Sequence, residues 1–180
     1  MSKIIITVNE EGRLTGTVDK MQAHVKGILH RAFSIFIFNT DGQLLLQQRA
    51  DDKYHSGGKW TNTCCSHPRI GDSIINAAHR RLQEEMGFDC EMTEMFSFRY
   101  CETLDNGLVE NEFDHVFFGI SNELPKINPL EVKDFKYADM DLLAIELKTN
   151  PGLYTIWLNI CFEQVMEHYI KRIKYEPSAF

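Results

Sequence analysis

A thiol and an imidazole stand two residues apart in the polar segment 61–68, where Cys65 precedes His67. A reduced cysteine in a polar, turn-like segment is a candidate reactive centre, because its pKa and its access to solvent set its reactivity. The alternative is that Cys64 and Cys65 are both small buried hydrophobes, as most free cysteines are. The local sequence does not choose between these two interpretations.

Two carboxylates share one face of a predicted strand over residues 108–120. Residues two apart in a strand project to the same side, so Glu110 and Glu112 point together while Asn111 points away. Neighbouring carboxylates repel each other unless a cation or a shared proton relieves them. A solvent-exposed face is the alternative, but the apolar residues 116–118 indicate burial. The pattern favours a metal-binding or proton-transfer role.

Three histidines could complete such a site: His24, His30 and His67. The spacing of six between His24 and His30 does not align them on one helix, but a turn at Gly27 could bring them together. A set of imidazoles and carboxylates suits a borderline divalent ion such as Zn²⁺ or Mn²⁺ better than it suits Ca²⁺, which prefers a cage of oxygens. The sequence offers no comparable set of ligands around the other four histidines, which are interpreted as structural: His55, His79, His115 and His168.

A helix predicted over residues 72–86 carries a further set of charged groups, and Gly87 can end it. The segment 80–88 resembles the core of a Nudix box, whose helix offers carboxylates to metal-bound diphosphates. Aligned on Gly87, the opening glycine of the box falls on Ser66, its first glutamate on Asp72 and its post-arginine glutamate on Arg81. These departures argue against ordinary diphosphate hydrolysis. A solvated, charged helix face is the alternative interpretation.

The remaining pattern predicts an α/β (α+β) fold, a β-sheet with helices packed on its faces, and the resemblance to the Nudix box implies that this is a Nudix-like mixed β-sheet. Strands are expected over residues 32–38, 44–49 and 95–101, with a weaker one over 135–138, and a turn over 39–42. Two more helices are expected over residues 139–149 and 151–174. The length of 180 residues, without repeats or linkers, predicts one domain covering 1–180.

Composition limits the compartment and the partners. The net charge of −7 argues against a nucleic-acid-binding surface. No stretch approaches the ~20 apolar residues of a spanning helix, and the first residues turn acidic too soon for a signal peptide. The five cysteines are odd in number and include no CxxC pair, so reduced thiols and a cytoplasmic location are expected.

Taken together, the segments resemble the type I isopentenyl diphosphate isomerases of the Nudix superfamily. The matching pieces are short but occur in one order: residues 15–20, 23–24, 29–34, 48–50, 60–68, 98–100 and 109–112. The resemblance implies conversion of isopentenyl diphosphate to dimethylallyl diphosphate, a small-molecule substrate, by protonation and deprotonation through a tertiary carbocation. Neither a nucleic-acid nor a membrane partner is expected, and the sequence leaves protein partners open.

The resemblance also implies roles for particular residues. Cys65 and Glu112 would transfer protons on opposite faces of the substrate, and Tyr100 would assist near Glu112. One divalent ion, Zn²⁺, Mn²⁺ or Mg²⁺, would be bound by five residues: His24, His30, His67, Glu110 and Glu112. A Mg²⁺ ion accompanying the diphosphate would be held with the help of Glu85. The substrate would be contacted by four cations and one aromatic ring: Lys20, Arg49, Lys53, Arg81 and Trp157. Ile156 stands where family members often have proline before this tryptophan.

Two alternatives remain open. A Nudix-type hydrolase acting on a nucleoside or prenyl diphosphate is supported by the helix over 72–86 and weakened by Arg81. A non-catalytic metal-binding or diphosphate-binding module would have no reason to combine Cys65 with Tyr100 and Glu112. Incubation with isopentenyl diphosphate separates the three, because it yields the isomer, released phosphate or no product.

Overall fold

The computed structural model describes residues 4–104 and 106–174, without the side chains of residues 173 and 174. Within these residues the strands, in chain order, are β1 (Ile4–Val8), β2 (Leu14–Asp19), β3 (His30–Phe38), β4 (Leu44–Arg49), β5 (Trp60–Thr61), β6 (Cys64–Ser66), β7 (Met92–Thr103), β8 (Val109–Ile120) and β9 (Val132–Ala138). The α-helices are α1 (Lys20–Lys26), α2 (Ile74–Met86), α3 (Met140–Thr149) and α4 (Ile156–Tyr169). A 3₁₀ turn covers Pro151–Leu153, and a π-helical segment covers Ile170–Lys174.

Strand β3 is the centre of one mixed sheet. It runs parallel to β8, with His30 opposite Glu112 and Phe38 opposite Ile120, and antiparallel to β1, β4 and β6. Strand β7 continues the sheet beyond β8, and β9 and β5 both pair with β4. The nearly continuous apolar sequence of β3 is typical of a strand that is buried on both faces.

Alternate residues of β3 enter two separate cores. Phe33, Ile35 and Ile37 pack with Leu82 of α2 on one face of the sheet. Phe36 and Phe38 pack on the other face with apolar residues of α3 and α4. The helices therefore cover both faces, as the sequence predicts. Among the described residues, no helix has the length and apolar character that crossing a membrane requires.

The predicted elements are confirmed in type but differ in extent. The weak strand prediction over 135–138 corresponds to the longer β9, and the prediction over 95–101 to the longer β7. The prediction of continuous helix from residue 151 is wrong. Tyr154 instead forms a bridge with Trp60, and the Thr155 amide donates to the Trp60 carbonyl at 2.9 Å, so α4 begins only at Ile156. Five elements have no counterpart among the predictions from sequence: β1, β2, α1, β5 and β6.

Candidate active site

Helix α1 and the turn after it bring His24 and His30 together. The Asp19 side chain caps α1 by accepting from the Gln22 amide, and Gly27 ends it in the left-handed conformation with φ 63°. The chain reverses there and enters β3 at His30, so the two imidazole centroids lie 4.9 Å apart. The turn expected at Gly27 is confirmed.

Backbone carbonyls fix the tautomers of these two histidines. Nδ1 of His24 lies 2.6 Å from the Lys20 carbonyl oxygen, and Nδ1 of His30 lies 2.7 Å from that of Ile28. A carbonyl oxygen only accepts, so each Nδ1 carries a proton and each Nε2 is directed into the cluster. This arrangement, in which a partner on one ring nitrogen directs the other nitrogen inward, is typical of metal-binding histidines.

Glu112 lies between the histidines and Tyr100. Its Oε1 lies 2.9 Å from Nε2 of His67 and 3.4 Å from Nε2 of His30, and its Oε2 accepts a 2.6 Å hydrogen bond from the Tyr100 hydroxyl. The inward nitrogens of His30 and His67 are only 3.1 Å apart. One ligand atom from each of four residues lies within 4.8 Å of the others: His24, His30, His67 and Glu112.

Glu110 and His55 extend this cluster. Oε1 of Glu110 lies 2.9 Å from Nε2 of His55 and 3.5 Å from Nε2 of His24, so these three residues form a second group within 4.8 Å. The interpretation of His55 as a histidine without site neighbours is therefore wrong. Its loop folds back over the site, held by the Gly58 amide on the Arg49 carbonyl at 3.1 Å. The only sequence signal was its position between the matching segments 48–50 and 60–68.

The donor set fits a divalent metal ion. Oε2 of Glu110 is buried and has no hydrogen-bond partner among the residues that the structure describes, and coordination to a bound cation would compensate its charge. The cluster combines imidazole nitrogens with carboxylate oxygens, which are common ligands of borderline divalent ions. His79 and His115 instead pair with Asp89 and Glu94.

Burial and neighbouring charges set the protonation states at this site. Burial would lower the pKa of His30, but the hydrogen bond and charge of Glu112 outweigh it and raise that pKa. Burial lowers the pKa of His67 to about 3, assisted by the charge of Lys20, so its imidazole is neutral. Burial would raise the pKa of Glu112, but hydrogen bonds from His30 and His67 outweigh it and hold that pKa well below the ordinary value. Glu112 is therefore ionised, whereas burial raises the pKa of the Tyr100 phenol and keeps it protonated.

The two adjacent cysteines point to opposite sides of strand β6. Cys64 is fully buried in the core beneath α2, whereas Cys65 faces a small chamber that Glu112 also lines. Burial raises the pKa of the Cys65 thiol to about 12, although the nearby charge of Arg49 opposes this shift. Nη1 of Arg49 lies 3.9 Å from the Cys65 sulfur. Cys65 is therefore a protonated thiol at neutral pH.

This inner chamber has a volume of about 40 Å³ and an aromatic wall formed by Trp157. The indole nitrogen of Trp157 donates to Oδ1 of Asn62 at 3.2 Å, and the Arg49 guanidinium lies 5.2 Å from the indole centroid. Asn62 in turn donates to the Cys64 carbonyl at 2.8 Å. The buried side chain of Asn62 therefore links Trp157 by hydrogen bonds to the strand that carries Cys65.

A larger outer groove of about 1020 Å³ shares Lys20, Arg49 and Cys65 with the chamber. Its lining also includes Lys53 and Arg81. Glu85 lies in the same groove, where it pairs with Arg81 and accepts a 3.0 Å hydrogen bond from Gln47. All the candidate residues named from the sequence therefore lie in the chamber, the groove or the adjoining histidine cluster.

Comparisons with known proteins point to one family. Residues 28–157 match the NUDIX domain family. An isopentenyl-diphosphate Delta-isomerase of Pectobacterium atrosepticum is 47% identical over 165 residues, covering 92% of this chain and 92% of the relative. Another, from Aromatoleum aromaticum and named isopentenyl-diphosphate Delta-isomerase 1, is 49% identical over 166 residues, covering 92% of this chain and 94% of the relative.

Solved structures show the same fold at low sequence identity. A MutT NUDIX hydrolase from Burkholderia pseudomallei is 20% identical with a TM-score of 0.61, covering 76% of this chain and 98% of the other. The likeness to this structure concerns the fold alone. The two relatives and the family match lead to a narrower conclusion: this chain belongs to the isopentenyl-diphosphate Delta-isomerase family of NUDIX-domain proteins.

Proposed function

We propose that this chain isomerises isopentenyl diphosphate to dimethylallyl diphosphate, the activity named for its relatives. The observation that carries the proposal is that a protonated thiol, Cys65, and an ionised carboxylate, Glu112, line one buried chamber beside a cationic groove. Hydrolysis is not favoured, because Arg81 stands where a Nudix box has a catalytic glutamate.

The reaction adds a proton to the terminal methylene carbon and removes one from the carbon on the other side of the tertiary centre. The tertiary carbocation between these steps would be captured by water, so the chamber must be dry. The face of Trp157 can stabilise the cation by cation–π attraction. Cys65 and Glu112 exchange protons with the two carbons, and the reverse reaction exchanges their roles.

A divalent ion, Zn²⁺, Mn²⁺ or Mg²⁺, would be held by the cluster of five predicted ligands, with His55 beside Glu110. When bound, such an ion fixes a carboxylate ligand and tunes its basicity. Tyr100 orients the same carboxylate from its other oxygen, through the hydrogen bond at 2.6 Å. His24 and His30 are already oriented for binding by their Nδ1 hydrogen bonds.

The outer groove would bind the diphosphate. Four cations supply its charge complement: Lys20, Arg49, Lys53 and Arg81. Glu85 would help hold a Mg²⁺ ion that arrives with the diphosphate, since hard cations of this kind are bound by one or two carboxylates plus phosphate oxygens. We further propose that residues 1–180 form one domain and that the enzyme acts in the cytoplasm.

The test is the fate of solvent hydrogen. In D₂O, the enzyme should convert isopentenyl diphosphate to dimethylallyl diphosphate with deuterium in the new methyl group, which NMR detects. Glu112→Gln should reduce the rate by roughly 10² or more, the size of a general acid–base contribution. A hydrolase would release phosphate and leave the carbon skeleton unlabelled. Isomer without solvent deuterium would exclude the assigned roles of Cys65 and Glu112.

A further inference from the structure

Glu131 lies where two cations of the outer groove meet. Its carboxylate forms an ion pair with the Lys53 ammonium, and its Oε2 lies 3.4 Å from Nη2 of Arg81. The three side chains are partly buried, with exposed fractions of 19%, 21% and 13% for Glu131, Lys53 and Arg81. The carboxylate thus has both of these cations as partners on the wall of the groove.

The backbone builds Glu131 into this position. The Asn128 amide donates to the Glu85 carbonyl at 2.9 Å, and the Glu131 amide donates to the Asn128 carbonyl at 2.9 Å. Lys126 makes a similar bond to Met86, and Gly87 permits this approach because a Cβ there would overlap the Lys126 carbonyl oxygen. The segment that carries Glu131 is therefore fastened to the end of α2, close to Arg81 and Glu85.

An entering diphosphate needs the same donors that Glu131 uses. The guanidinium of Arg81 already contacts Glu84 and Glu85 as well as Glu131. Phosphate oxygens compete for guanidinium and ammonium groups with the geometry that carboxylates use. The diphosphate can therefore use all the donors of Lys53 and Arg81 only if it displaces the Glu131 carboxylate from them.

We propose that Glu131 is an internal counter-anion that the substrate's diphosphate must displace from Lys53 and Arg81. The inference rests on the diphosphate-binding role proposed above for these two cations, and it is independent of the isomerisation chemistry. Substrate and product carry the same diphosphate, so this competition weakens the binding of both equally. Uniform binding of this kind does not accelerate the chemical step, and reducing it favours release of the product.

The test measures binding of inorganic pyrophosphate by titration calorimetry, without added divalent cation. Glu131→Gln keeps the shape of the side chain and removes its charge, so we expect it to bind pyrophosphate roughly tenfold more tightly than the parent chain. Asp51→Asn is the matched control, because Asp51 makes its ion pair with Lys133 at 2.8 Å. It changes the net charge by the same amount and should leave the affinity within about twofold, as surface charge changes usually do.

Two further variants keep the test decisive. Glu131→Ala should change the affinity in the same direction as Glu131→Gln, and circular dichroism verifies that both are folded. Lys53→Met should weaken pyrophosphate binding, and it should also shrink the gain from Glu131→Gln when the two are combined. The proposal is overturned if Glu131→Gln binds pyrophosphate equally or more weakly, or if Asp51→Asn gives the same gain. If Lys53→Met binds pyrophosphate as tightly as the parent chain, Lys53 does not bind the diphosphate. The counter-anion role of Glu131 would then also be excluded.

Discussion

Tyr100 and Glu112 lie directly opposite each other in the β7–β8 ladder, and the Tyr100 hydroxyl donates a 2.6 Å hydrogen bond to Oε2 of Glu112. The other oxygen of the same carboxylate lies among the nitrogens of His30 and His67. The carboxylate is therefore held from both ends, by the phenol on one side and by the histidine cluster on the other. This double restraint fixes which lone pairs of Glu112 can reach a substrate in the chamber.

Removing the phenol should loosen the carboxylate without removing it. We expect Tyr100→Phe to lower kcat roughly tenfold, less than the loss from Glu112→Gln, and to lower the free energy of unfolding by about 1–3 kcal/mol, because a buried acceptor loses its donor. Tyr154→Phe is the control, since the Tyr154 hydroxyl bonds Glu146 outside the chamber. Steady-state rates and denaturant titrations of both variants measure the two effects, and equal rate losses would contradict the orienting role.

The neighbouring cysteines should separate activity from stability. Cys65→Ala should lower turnover by roughly 10² or more, because it removes a proton-transfer group from the chamber. Cys64→Ala should keep its turnover but lower the free energy of unfolding by about 1 kcal/mol, because its fully buried side chain packs beneath α2. Rates and urea midpoints distinguish the two. Normal turnover in the Cys65 variant would show that this thiol does no chemistry.

Metal content should follow the histidine cluster. A strong chelator should inactivate the enzyme, and Zn²⁺, Mn²⁺ or Mg²⁺ should restore it. His24→Ala and His67→Ala should reduce the metal content of the purified protein, and His55→Ala should weaken metal affinity by roughly 10–100-fold, as loss of a neighbouring partner does.

His79→Ala is the control for these variants, because His79 pairs with Asp89 rather than with the cluster. Inductively coupled plasma mass spectrometry gives the stoichiometry of each purified variant. Unchanged metal content in both the His24 and the His67 variants would argue against the proposed ligands.

The wall formed by Trp157 should matter for its aromatic face more than for its bulk. Trp157→Phe keeps a face and loses the hydrogen bond to Asn62, so we expect a loss of kcat of less than about tenfold. Trp157→Leu keeps apolar bulk but has no aromatic face. Its kcat should be roughly thirtyfold lower than that of Trp157→Phe, which is the size of a desolvated cation–π interaction. The comparison is made on kcat at saturating substrate, and similar values for the two variants would mean that the face does not stabilise the cation.

Strong periodicity explains which parts were predictable from sequence. Strands β3 and β8 and helix α2 have clear apolar patterns. Strand alternation alone predicts that Glu110 and Glu112 lie on the same face of their strand. The convergence of His24 and His30 required one further signal, the glycine between them. These features depend on neighbours in the chain, which the sequence displays directly.

Other features depend on contacts that the sequence does not display. His55 lies in an aperiodic loop, so its approach to Glu110 is set by tertiary hydrogen bonds. Helix α4 starts late because Tyr154 forms a β-bridge with Trp60 and the Thr155 amide donates a hydrogen bond to the Trp60 carbonyl. Glu131 meets Lys53 across a separation of 78 residues, and no local pattern marks that pair.

The parallel pairing of β3 with β8 has a consequence for the order of folding. His30 and Glu112 become neighbours only when two strands that are distant in sequence join side by side, and such non-local contacts form slowly. The ligand cluster is therefore absent from early, locally structured states of the chain. An ion bound there would stabilise the finished fold more than the transition state that precedes it, so chelation should speed unfolding much more than it slows folding.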